Sequence, residues 1–160
     1  MPDGHGQLRH PTDCAVLMRL SAEEARARFT LERVARLATV SADGIPHLVP
    51  VTFAVLGSRI VFVIDDKPKS TTHLRRLDNI QARPGVCLLV DVYDDDWSRL
   101  WWARADGTAS VLPTDDEAVD ALAVRYQAYR ERRPRGPVVS IEVTSWTGWA
   151  ASDLVAARSV

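Results

Sequence analysis

Ala35-Arg36-Leu37-Ala38-Thr39-Val40-Ser41-Ala42-Asp43-Gly44-Ile45-Pro46-His47-Leu48-Val49-Pro50-Val51 is the stretch that decides the fold. Side chains alternate along a strand, so residues 36–42 place Leu37, Thr39 and Ser41 on one face. Asp43-Gly44 is a hairpin signal, because both central positions of a type I′ turn need φ > 0. A second strand then runs over 45–56. Pro46 and Pro50 have no N–H to give a ladder, which places them at a sheet edge or a bulge. Gly57-Ser58 turns the chain again and 59–64 reads as a third strand. The spacing predicts a three-stranded meander.

Upstream, residues 1–19 mix Gly, His, Pro, Asp and Arg without a period and read as a flexible N-terminal extension. Ser21-Ala22-Glu23-Glu24 is a capping box, and the helix it opens should turn Ala25 and Phe29 inward and end near Val34. Downstream, a polar helix over 70–82 carries Leu74, Leu77 and Ile80 at helical spacing, and Pro84-Gly85 stops it. Residues 86–93 form an apolar strand expected to be buried on both faces. Asp94-Asp95-Asp96 turns the chain into a long strand over 97–112, interrupted near Asp106-Gly107. A helix over 114–130 opens on Thr114, with acids at Asp115, Asp116 and Glu117 suited to its positive end. A basic loop over 130–136 leads to a last strand over 138–144. About six strands and three helices at this spacing favour an antiparallel barrel over a doubly wound sheet.

Composition sets outer bounds. The chain has 160 residues, 46% hydrophobic and 26% charged, which describes one soluble domain rather than a disordered chain. No apolar run approaches a membrane span and no signal-peptide core is visible, so the cytoplasm is the expected compartment and no membrane partner is expected. A net charge of −1 argues against bulk attraction to nucleic acid. Cys14 and Cys87 are the two cysteines, too few for a disulfide framework. His5, His10 and Cys14 match no zinc spacing, so no metal site is assigned. No Gly-x-Ser-x-Gly elbow occurs, and no catalytic side chain is named.

One count stands out. Of 20 basic residues only two are lysines, Lys67 and Lys69. They precede Ser70, Thr71 and Thr72 at the start of the helix over 70–82. A helix N-terminus, two ammonium groups and three hydroxyls together suit a phosphate. A capped surface helix with solvated lysines is the plain alternative. The five tryptophans all follow residue 96. Trp101 and Trp102 are adjacent on a strand, so they point to opposite faces. One can serve the core, and the other needs a second layer, a ligand or a partner subunit.

Residues 35–51, Lys67-Pro68-Lys69 with Leu74-Arg75-Arg76-Leu77, and Val86-Cys87-Leu88-Leu89-Val90-Asp91 together resemble the pyridoxamine 5′-phosphate oxidase-like split-barrel proteins that bind flavin. Asp95-Asp96-Trp97-Ser98, Ala105-Asp106-Gly107-Thr108-Ala109, Trp101-Trp102 and Trp146-Thr147-Gly148-Trp149 are similar to an actinobacterial branch that uses the deazaflavin coenzyme F420. The resemblance spans residues 20–150, leaving 151–160 as a tail. It implies a mainly β (α+β) fold, a six-stranded antiparallel split β-barrel with a few flanking helices, and a homodimer with cofactor in an interface groove. It further implies phosphate held at Lys67, Lys69, Ser70, Thr71 and Thr72, and a ring system near Val49, Pro50, Val51 and Thr52. Family members often carry a basic residue where Ser70 stands. The implied activity is hydride transfer between F420 and a small organic substrate. FMN is the alternative cofactor, and a non-enzymatic flavin carrier is a third reading.

Overall fold

The computed structural model describes residues 18–64 and 74–151. The 1–17 segment, the loop and lysine segment over 65–73, and the tail after Ala151 lie outside the described residues. Helix α1 (Ala22–Leu31) begins as expected: the Ser21 N–H donates to Glu24 Oε2 at 2.8 Å, and the Glu24 N–H donates to Ser21 Oγ at 3.2 Å. Ala25 and Phe29 are fully buried. The helix ends three residues before the expected Val34, because β2 (Ala35–Val40) needs an extended lead-in.

β2 pairs with β3 (Pro46–Val51) in an antiparallel hairpin. Its turn is a three-residue loop rather than a two-residue type I′ turn. The Ser41 N–H reaches the Ile45 carbonyl at 2.9 Å, and Gly44 takes φ 84°. The expected second strand is two strands. β3 stops at Val51, and β4 (Ala54–Leu56) pairs only with β5 (Arg59–Val63). The meander is therefore replaced by two hairpins at opposite edges of one sheet. Strand order is β3-β2-β6-β7-β8-β5-β4, with β6 (Gly85–Val92), β7 (Trp101–Leu112) and β8 (Val138–Ala150) in the middle. A two-residue β1 (Met18–Arg19) also pairs with β8. Among the described residues the sheet thus has eight strands rather than the expected six. Among the described residues no ladder joins β3 to β4, so the sheet is not closed.

β8 extends six residues past its expected end and pairs along the whole of β7. The register shifts at Asp106/Gly107, leaving Thr144 as the extra residue, and its hydroxyl donates to the Asp106 carbonyl at 3.1 Å. Gly107 is required there: a Cβ would run into the Glu142 carbonyl oxygen.

Two cores lie on opposite sides of the sheet. The larger, inside the curve, includes Phe29, Leu37, Phe53, Phe62, Leu88 and Ile141. The smaller packs Val61, Val63 and Val138 under Leu122 and Tyr126. Its cover is α3 (Asp116–Arg125), followed after a break at Tyr126 by α4 (Gln127–Glu131), where one helix was expected. Burying a side chain such as Leu122 completely is worth roughly 1.5–3 kcal/mol. β5 is consequently the strand buried on both faces. β6, expected in that role, buries only Val86, Leu88 and Val90 and turns Cys87, Leu89 and Asp91 outward. Helix α2 (Arg75–Ala82) packs on β2 through buried Ile80 and Asn79, whose Nδ2 donates to Thr39 Oγ1 at 2.9 Å.

Candidate functional site

β3 is an edge strand, paired only with β2. Pro46 and Pro50 share one parity with Leu48, and their cross-strand partners are Val40, Arg36 and Ala38. A proline fits here only if that parity aims its backbone nitrogen away from β2. The open edge therefore offers carbonyl acceptors and the Leu48 N–H. The four residues expected near a ring system separate by direction. Val51 is buried in the larger core and Val49 packs against it half-buried, and both have the parity whose backbone groups pair with β2, so neither is offered at the open edge. Pro50 faces outward. Thr52 sits at the corner beyond the strand, half-buried, with its hydroxyl 2.9 Å from the Tyr129 hydroxyl. Lys67, Lys69, Ser70, Thr71 and Thr72 lie outside the described residues.

The residue after that segment's helix begins is informative. Arg76 shares a face of α2 with Asn79 and Ile80, so it is directed toward the sheet, where α2 lies against β7 and β2. It is half-buried, and its buried Nε has no hydrogen-bond partner. Burial alone pulls its pKa below the ordinary arginine value. His47, opposite Thr39 in the hairpin, lies on the same side and has a buried Nδ1 without a partner.

A second feature lies on the outer face of β3-β2-β6-β7, a groove of about 500 Å³. Ala38, Leu48, Leu89 and Trp102 supply apolar surface, and Tyr93 stands at its rim, 80% exposed. Trp101, its chain neighbour, is buried in the core. Two ion pairs border the groove: Arg36 to Asp91 at 3.4 Å, and Arg104 to Asp106 at 2.9 Å. Leu89 lies between them, and Cys87 sits beside the second, opposite Asp106. Burial pushes its thiol above the usual range and the Asp106 carboxylate adds to this, so it is no activated nucleophile. The sequence reading missed this face because Val86-Cys87-Leu88-Leu89-Val90 is apolar at both parities. Asp91, Arg36 and Arg104 were the signal for an outward face.

A third feature is a cleft of about 750 Å³ between the first turn of α3 and the loop 132–136. Arg133 pairs with Asp120 at 2.6 Å and with Asp116 at 3.8 Å. Arg132 and Arg135 have no acidic partner among the described residues. The loop abuts the end of β5, where the Ile64 N–H donates to the Pro137 carbonyl at 3.0 Å. Among the described residues no cluster of three His, Cys, Asp or Glu side chains is arranged to hold a metal, and no helix is long and apolar enough to cross a membrane.

Comparison with known proteins gives a consistent fold. A family model described as pyridoxamine 5′-phosphate oxidase matches residues 21–150. A FAD-binding protein from Mesorhizobium loti is 22% identical, with a TM-score of 0.68 over 86% of this chain and 99% of that one. A heme-binding protein from Mycobacterium smegmatis is 23% identical, with a TM-score of 0.63 over 85% of this chain and 56% of that one. A FAD-binding protein from the same organism is 17% identical, with a TM-score of 0.54 over 83% and 96%. At these identities the likeness is one of fold. No curated protein matches the sequence.

Proposed function

The chain belongs to the pyridoxamine 5′-phosphate oxidase family, and on that premise we propose that it binds a flavin-type cofactor and acts as an oxidoreductase on a small organic substrate. The observation that carries this reading is Arg76. A half-buried guanidinium with a buried, unpartnered nitrogen is unfavourable until a counter-charge arrives. A cofactor phosphate at the start of α2 supplies that charge. Lys67, Lys69, Ser70, Thr71 and Thr72, just upstream in the chain, are the remaining groups proposed to hold it. At the other end of the site, the open edge of β3 and the Thr52 hydroxyl offer the mixed acceptors and donors that a flavin ring edge needs. Such a cofactor, when bound, supplies hydride or electron transfer. The chain's own part is to fix the phosphate, hold the ring against β3 and exclude water.

The bare groove on the outer face supports a further part of the proposal, a homodimer. The face is apolar at its centre and carries equal numbers of Arg and Asp at its borders, so it complements a second copy of itself. Within the flavin class, F420 is favoured over FMN by one observation: the cleft with unpaired Arg132 and Arg135 adjoins the end of β5, where the lysine segment follows. An anionic tail extending past the phosphate would meet those arginines.

Titration of the purified protein with F420, FMN and FAD, followed by fluorescence and calorimetry, tests the reading. Preferred binding of F420 supports the deazaflavin branch. Preference for FMN or FAD keeps the flavin reading and removes the role given to Arg132 and Arg135. Binding of none overturns the proposal. Cofactor binding without turnover in a substrate screen would make the protein a carrier.

A further inference from the structure

The corner where β3 ends is held by two tyrosine hydroxyls from the junction of α3 and α4. The Tyr126 hydroxyl is fully engaged. It accepts from the Phe53 N–H at 3.0 Å and from Arg125 Nε at 3.2 Å, and its oxygen lies 2.8 Å from both the Phe53 and Arg33 carbonyl oxygens, which share its one proton. The Tyr129 hydroxyl is different. Its partner is the Thr52 hydroxyl, 2.9 Å away. Tyr129 is not free to swing, because its ring meets the Tyr126 ring edge-on at 5.7 Å and its N–H donates to the Tyr126 carbonyl at 3.1 Å.

A phenol, with pKa about 10, is a far stronger acid than an aliphatic alcohol. In this pair the phenol is therefore the donor and Thr52 the acceptor. Thr52 keeps its own proton, and no acceptor for it is present among the described residues. We propose that Tyr129 is a positioning residue that makes the Thr52 hydroxyl a fixed donor toward the ring of the bound cofactor. The proposal rests on the reading that places the ring at the end of β3. It requires a ring-edge acceptor opposite Thr52, and it makes α4, rather than the sheet, the element that tunes this contact.

The experiment compares wild type, Tyr129→Phe, Thr52→Val, Thr52→Ser and the double variant Tyr129→Phe/Thr52→Val. Each is titrated with FMN, FAD and F420, and the long-wavelength absorption band of the bound cofactor and the melting temperature are recorded. Tyr129→Phe should weaken binding roughly three- to tenfold, the range of one hydrogen bond, and move the band. Thr52→Val should do the same, the double variant should lose no more than Thr52→Val alone, and Thr52→Ser should retain wild-type values. An unmoved band in Tyr129→Phe overturns the inference, even if affinity falls with the melting temperature. So do losses that multiply in the double variant. A wild type that binds none of FMN, F420 and FAD overturns the proposed function and this inference together, whereas a wild type that binds while Tyr129→Phe is unchanged overturns this inference alone.

Discussion

Asp115 joins two distant parts of the chain through one carboxylate. Its Oδ1 accepts the Ala118 N–H at 3.0 Å and caps α3, and its Oδ2 takes Arg59 Nη1 at 2.5 Å. Thr114 was expected as the cap, and both residue types serve well. The choice between neighbours is made by Arg59, 56 positions earlier, which no local pattern reveals. The Arg59 hydrogen bond, then the cap, hold the Asp115 carboxyl below the usual aspartate range. A depressed folded pKa contributes stability above the unfolded value of about 3.9, and that stability is lost as pH falls through the folded value. Asp115→Asn keeps a good cap but loses the charge. It should cost about 1–2 kcal/mol at pH 7, the range of a hydrogen bond to a charged group reduced for partial exposure. Its deficit should shrink below pH 4, as measured by urea unfolding at pH 7 and pH 3. An equal deficit at both pH values would show that the ion pair contributes nothing.

At the scale of elements, the break at Thr52–Phe53 decides the topology, because it sends β3 and β4 to opposite edges of the sheet. The sequence there, Val51-Thr52-Phe53-Ala54-Val55, is good strand throughout, and no Gly or Pro marks the break. Tyr126 likewise interrupts a helix pattern without a breaker. Each interruption is stabilised by the other: the Tyr126 hydroxyl satisfies both backbone groups of Phe53. Arg33 lies over its ring at 4.7 Å, and Arg125 donates to the Glu32 carbonyl. Local signals, the capping box and the Asp43-Gly44 turn, were legible because a few adjacent residues determine them. This clamp was not, because it joins residues 73 positions apart. Tyr126→Phe leaves the Phe53 N–H buried and unpaired, which costs about 1–3 kcal/mol. Hydrogen exchange should show the Phe53 amide opening faster while amides in β7 change no more than the global loss requires. Uniform acceleration across the sheet would mean that the hydroxyl supports the whole fold rather than the corner.

At the scale of the molecule, the sheet has two faces and only one and a half covers. The larger core fills the inner face, and α3 covers the outer face over β5 and the start of β8. Nothing among the described residues covers β3, β2, β6 and the first half of β7, where Leu48 is 65% exposed beside Leu89 and Trp102. The sequence carried half of this argument: adjacent Trp101 and Trp102 required a second layer for one of them, but it left open which. Trp102 is the one in need. A second copy docking by a two-fold axis would bury this face and set the Arg36–Asp91 and Arg104–Asp106 pairs against their equivalents. Sedimentation at micromolar concentration should therefore give twice the 17.7 kDa of one chain. Leu48→Glu puts a charge into the apolar part of that face while disturbing no buried contact of the monomer. A carboxylate facing its own copy in a desolvated interface is strongly unfavourable. The variant should sediment as a monomer with its melting temperature lowered only by the loss of association. A wild type that is already monomeric would leave this face to a different partner and remove the dimer from the proposed function; a Leu48→Glu variant that stays dimeric would place the interface elsewhere.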